Sequence, residues 1–122
     1  NIPAGIPLVQ HSLQMLLEFY FDDIFSLEMI VEKSSHNVAK RFNIKDRGFL
    51  REGYFADITC VDMDKSYTVN KENILHKCGW SPLENKTMRS SIYATILNGN
   101  IAFKDGQFSE SLKFGHRLEF DY

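Results

Sequence analysis

The chain is short of most residues that would place it outside ordinary folded proteins. It has only two cysteines, Cys60 and Cys78, in 122 residues. That is too few for a disulfide framework, so a reducing compartment, the cytoplasm, is expected. Three prolines and seven glycines are too few for a collagen-like or low-complexity chain. Neither charge dominates: 14 Lys+Arg stand against 16 Asp+Glu, a formal net charge of -2. Without a basic excess, neither nucleic acid nor an anionic membrane is an expected partner. No apolar run is long enough to span a bilayer. The N-terminus lacks the basic start and apolar core of a signal peptide. An initiating Met is also missing: the chain opens Asn1-Ile2-Pro3-Ala4-Gly5 and reads as cut from something longer.

What is present has the composition of a folded globular chain, 43% hydrophobic and 25% charged, rather than a disordered one. Residues 1–43 read as helical and the rest mostly as strand, an α+β chain. Val9, Leu13, Leu16, Leu17, Tyr20 and Ile24 recur at helical period and predict an apolar stripe. Pro7 suits the entry to that helix, and Asp22-Asp23 oppose its dipole, so it should end there. Ser26 is the expected N-cap of a second helix, with Glu28 in its first turn. A third short helix starting at Ser34 or Ser35 would close on Asn43, a residue that tolerates a left-handed cap.

From Ile44 on, the pattern is that of strands. Phe49-Leu50-Arg51-Glu52, bracketed by Gly48 and Gly53, reads as a short strand and turn. Ile58-Thr59-Cys60-Val61 is a β-branched run, and Tyr67-Thr68-Val69 a shorter one. Asn98-Gly99 separates two apolar runs, 91–97 and 100–103, and is the preferred two-residue hairpin turn. Asp105-Gly106 ends the second strand. Leu118, Phe120 and Tyr122 alternate with Glu119 and Asp121, as in a terminal strand.

Self-sufficient chemistry is scarce. His11, His36, His76 and His116 stand far apart, with no His-x-His, His-Glu-x-x-His or Cys-x-x-Cys pattern. The two-residue offset of His76 and Cys78 suits chelation from an extended strand, but two isolated side chains are the plainer reading. His11 reads as a helix-surface histidine and Cys60 as a small core residue. The glycines are spaced as turn residues, not as a phosphate-binding loop. Phe19, Tyr20, Phe21 and Phe25 form an aromatic patch, read as core or as a surface facing a missing part. Trp80 reads as a loop aromatic folded over a sheet edge.

Two segments add a resemblance. Ser35-His36-Asn37-Val38-Ala39-Lys40-Arg41 leads to Arg47-Gly48 and then Gly53-Tyr54-Phe55-Ala56-Asp57-Ile58-Thr59-Cys60-Val61-Asp62. This resembles the C-terminal signature of cyclic amidohydrolases: Asn-Pro-Ala on a helix, Lys/Arg-Gly, then Gly-x-x-Ala-Asp and an aliphatic strand ending in Asp. Val38 stands where that pattern has Pro. Lys77-Cys78-Gly79-Trp80-Ser81-Pro82-Leu83-Glu84 and the Asn98-Gly99 hairpin continue the match. Pro3-Ala4-Gly5-Ile6-Pro7-Leu8-Val9-Gln10 resembles the loop after the last metal ligand of the barrel. The wording is most similar to dihydroorotases.

The resemblance implies a metal-dependent (β/α)8 barrel carrying a small β-sandwich. Residues 1–43 would be the barrel's last loop and outer helices, and residues 44–122 most of the sandwich. It implies a hydrolase of pyrimidine biosynthesis that interconverts N-carbamoyl-L-aspartate and dihydroorotate with Zn2+. The metal ligands and the general base would lie upstream, so no catalytic or metal residue is carried over. The fragment alone is expected to bind no zinc and to be inactive. One site element carries over: the backbone N–H groups of Ala4 and Gly5, small residues suited to holding a substrate carboxylate. Gln10 stands where many relatives have Glu, with its role open. The expected partner is the N-terminal barrel portion of the same protein, and a homo-oligomeric parent is compatible with the reading. Rival readings are an allantoinase or hydantoinase, a non-catalytic dihydroorotase-like assembly subunit, and an independent β-rich binding domain.

Overall fold

A computed structural model describes residues 5–111 and 114–121. A 3-10 turn, Val9–His11, leads into helix α1, Ser12–Phe21. Helices α2, Leu27–Val31, and α3, Asn37–Arg41, follow, joined by a π-helical turn, Glu32–His36. The strands are β1, Ile58–Asp62; β2, Tyr67–Thr68; β3, Thr87–Met88; β4, Ser91–Leu97; β5, Asn100–Lys104; and β6, Gln107–Phe108. The described chain is thus α+β, as the sequence predicts.

The chain divides into two compact units. One is Asn1–Phe25 with Met63–Ser91, and the other is Ser26–Asp62 with Ile92–Tyr122. The boundary at 43/44 read from the sequence falls inside the second unit.

In the first unit, α1 packs against β3, and Leu17, Val69 and Met88 are its buried apolar side chains. β2 and β3 pair antiparallel. Val69 extends that pairing, its N–H donating to the carbonyl of Lys86 and its own carbonyl accepting from Asn85. α1 ends at the aspartates, as expected, and the reason is visible. Asp23 takes a left-handed φ of 56°. Its N–H reaches the Tyr20 carbonyl at 3.0 Å and that of Ile24 reaches Phe19 at 2.9 Å, a Schellman closure. The charge conflict is relieved by Arg89, whose guanidinium donates to Asp22 Oδ1 at 2.6 Å, Glu18 Oε2 at 2.7 Å and the Glu18 carbonyl at 2.8 Å. A cation at a helix C-terminus is favourable.

Within α1 the predicted stripe is covered, with Leu17 buried and Leu13, Leu16 and Tyr20 half-buried, while its two ends outside the helix are not. Val9 is 93% exposed and Ile24 58%. The buried face runs through His11, Gln14 and Leu17, three residues apart, of which only Leu17 belongs to the stripe. Polar partners from the 67–76 region satisfy Gln10 and Gln14 beside it.

In the second unit, Ser26 caps α2 as expected, its Oγ accepting from the Met29 N–H at 3.1 Å. The break expected before a third helix is absent. Helix runs from Leu27 to Arg41 through the π-turn. The Ser34 hydroxyl turns back to the Ile30 carbonyl at 2.7 Å instead of capping forward, and such back-bonding perturbs a helix without ending it. Asn43 closes α3 at φ 50°, with the Ile44 N–H on the Ala39 carbonyl.

The sheet order is β1-β4-β5-β6. The Asn98-Gly99 turn joins β4 and β5 in antiparallel register, Leu97 opposite Asn100. Both turn residues have positive φ, 50° and 79°, as this turn requires. Asp105-Gly106, at 49° and 83°, makes a second such turn into β6, a hairpin the sequence reading left as a strand end.

Two expectations fail. Phe49–Glu52 forms no strand, because Phe49 is drawn onto the helix, its ring stacked on His36 at 4.3 Å and 7°. The terminal strand reduces to one antiparallel bridge, Ile44 with Phe120, and Tyr122 lies outside the described residues.

Candidate functional site

The segment that the sequence nominates leads into α1. Ala4 lies outside the described residues. Gly5 is exposed with φ +96°, and a Cβ there would meet no atom within 4 Å. Within the described chain its small size therefore serves backbone conformation rather than packing.

Gln10, whose role the sequence leaves open, holds this entry in place. Its Nε2 donates to the Asn73 carbonyl at 2.7 Å and its Oε1 accepts from the Leu75 N–H at 2.8 Å. One amide thereby satisfies a donor and an acceptor of a loop 63 and 65 residues away in sequence. The loop is itself folded by Asn70, whose Oδ1 accepts from the N–H groups of Glu72 and Asn73, an Asx arrangement.

His11, read from sequence as a surface histidine, is fully buried. Among the described residues, neither of its ring nitrogens has a hydrogen-bond partner. Burial holds its imidazole below the ordinary histidine range, and the like charge of His76 acts in the same direction. On α1, Gln14 is hydrogen-bonded to Tyr67, whose phenol burial pushes above its ordinary value. His76 Nδ1 lies 3.3 Å from the exposed Cys78 Sγ. Among the described residues, no group of three or more His, Cys, Asp or Glu is placed to hold a metal ion.

Other readings resolve individually. Cys60 is half-buried and Cys78 exposed, both as free thiols. In the aromatic patch, Phe19 is 41% exposed, its ring 5.3 Å from that of Phe25. Trp80 is a half-exposed loop residue. No helix among the described residues is long and apolar enough to cross a membrane.

The second unit holds a polar network that the sequence did not single out. Arg47, 8% exposed, forms an ion pair with Asp57 and donates to Asn98 Oδ1 at 2.9 Å. Its guanidinium lies 4.1 Å from the centre of the Phe55 ring. Asp57 Oδ1 accepts from the Asn98 N–H at 2.8 Å, and Asn98 Nδ2 donates to the Phe114 carbonyl. The Arg-Gly and Gly-x-x-Ala-Asp segments are therefore joined through the hairpin turn. A shallow hollow beside it is lined by Ala39, Lys40, Asn43, Arg47, Tyr54 and Asp121.

No family model matches the chain. A dihydroorotase from Pyrococcus abyssi is 36% identical over 104 residues, 85% of this chain and 26% of that protein. An allantoinase from Desulfitobacterium hafniense is 38% identical over 105 residues, 85% of this chain and 23% of that protein. Among solved structures, an L-hydantoinase (dihydropyrimidinase) from Arthrobacter aurescens superposes with a TM-score of 0.83 at 26% identity, covering 93% of this chain and 26% of that one. The chain spans about a quarter of the length of the relatives it matches. Differently named enzymes align over nearly the same large share of it, and the fold agrees with theirs: the chain belongs to the cyclic amidohydrolase superfamily.

Proposed function

We propose that the chain is the C-terminal part of a dihydroorotase-like enzyme, contributing the last loop and outer helices of a (β/α)8 barrel through residues 1–43 and most of a β-sandwich through 44–122. The observation that carries this reading is the alignment with a dihydroorotase over 85% of the chain. The parent reaction would be the reversible opening of dihydroorotate to N-carbamoyl-L-aspartate. The zinc expected of that parent finds no ligand set among the described residues, so no step through a metal is assigned to this chain. Its own contribution would be substrate placement. Backbone N–H groups at Ala4 and Gly5 would receive the substrate carboxylate, and the Gln10 clasp would hold the segment that follows them.

The parent's remaining barrel portion is the expected partner, with a homo-oligomer compatible. The cytoplasm is the proposed compartment, on the strength of two free cysteines. The allantoinase at 38% identity favours a second reading, the same reaction class on a different ring.

Two measurements test the proposal. The whole protein encoded by the parent gene is expected to hydrolyse dihydroorotate; hydrolysis of allantoin alone would move the assignment to the second reading. The 122-residue chain by itself is expected to turn over neither substrate with zinc supplied. It is also expected to bind a hydrophobic dye through the exposed flank at Val9 and Ile24. Turnover, or stoichiometric zinc in the purified chain, would refute the assignment.

A further inference from the structure

The start of α1 and the 70–80 loop are joined in the first unit by two neighbouring pairs of residues. The Gln10 amide grips Asn73 and Leu75. One residue further along each segment stand His11 and His76. Among the described residues, His11 is fully buried with both ring nitrogens unpartnered, and the buried Nε2 of His76 has no partner either. The His11 imidazole, so placed, is tolerated only when neutral. Protonation makes both nitrogens donors and places a charge in a buried site.

Among the described residues, groups from the loop and from β2 interact with the pair or with its helix. From the loop, His76 acts on His11 as a like charge, and Cys78 meets His76 at Nδ1. From β2, Tyr67 approaches α1 through Gln14. None of these is a carboxylate. We infer that His11, set against His76, is a pH-sensitive latch: while neutral it lets the Gln10 clasp close, and when protonated it releases the 70–80 loop from the start of α1.

The sign follows from the direction of the His11 shift. The closed form takes up the proton less readily than the open form, so acid favours opening. The latch is intact above the ordinary imidazole range and is lost as pH falls below it. Uptake of one proton on opening changes the open-to-closed ratio about tenfold per pH unit. The inference is independent of the proposed enzyme activity.

The test is amide hydrogen exchange of residues 73–80, corrected for the intrinsic pH dependence of exchange, alongside a 15N-histidine titration. As pH falls below about 6.5, protection of these amides is expected to fall, by up to about tenfold per unit. The β4–β5 amides should keep theirs, and His11→Phe should abolish the slope. Where His11→Phe does not fold, His76→Gln removes the like charge and is expected to raise the His11 midpoint. A flat profile for 73–80, an equal loss at β4–β5, an unchanged slope in His11→Phe, or an unmoved His11 midpoint in His76→Gln would overturn the latch.

Discussion

Asp57→Ala would leave the guanidinium of Arg47 without its counter-ion in a site where that side chain is only 9% exposed. Removing one partner of a buried pair costs about 3–5 kcal/mol, because the other charge is stranded. Asp57 is itself 30% exposed, so part of its desolvation cost is recovered. Arg47 also keeps Asn98 Oδ1 and the Phe55 ring. Those two facts place the loss near the bottom of the range, at about 3 kcal/mol. That is more than about a hundredfold in the folding equilibrium and about a 10 °C fall in Tm for a chain of this size. The bond from the Asn98 N–H to Asp57 Oδ1 adds little, since that backbone group is open to water. Urea unfolding followed by far-UV circular dichroism, with the slope unchanged, reads the loss directly. Arg47→Met supplies the second corner of a cycle: without the stranded charge, the double variant should be more stable than Asp57→Ala alone. An Asp57→Ala loss below about 0.5 kcal/mol, or a double variant weaker than the single one, would show that the stranded charge is not what Asp57 prevents.

Two further substitutions separate conformation from packing. Gly48→Ala places a Cβ 2.5 Å from Ala39 Cβ at a φ of +81° and should cost about 3 kcal/mol from strain and overpacking together. Gly53→Ala, at φ +83° with nothing within 4 Å, should cost only about 1 kcal/mol; equal losses in paired thermal melts would refute the packing argument. Ser26→Ala removes the α2 cap and should lower stability by about 1 kcal/mol, with Ser26→Asp restoring most of it. An unchanged melt in Ser26→Ala would show that the Met29 N–H is satisfied as well by water.

The local features legible in the sequence were those whose cause is local. Asn98-Gly99 makes its turn because both residues tolerate positive φ. Asn43 ends α3 for the same reason, and Ser26 caps α2 because its hydroxyl reaches a free N–H three residues on. Readings that needed a partner distant in sequence went astray. Helical period alone assigns His11 to the polar side. Its buried ring feels His76, from a loop 65 residues later. The strand expected at Phe49–Glu52 was lost to a ring stack with His36. Of the candidate site, the family wording of residues 3–10 was readable, but the function of Gln10 was not, because nothing at position 10 announces Asn73 and Leu75.

By itself, the sequence determined the α+β class, the caps and tight turns, and the superfamily through motif order. The class, caps and turns rest on backbone preference or on spacing within a few residues, and the superfamily on a resemblance of motifs along the whole chain. Only the tertiary structure decided that His11 and Gln14 are buried along with Leu17, how Arg89 neutralises the end of α1, and that Arg47, Asp57 and Asn98 form one network. These depend on charges and amides finding partners 10 to 71 residues away. A side chain's chemistry specifies what kind of partner it needs, while chain closure alone determines which residue supplies it.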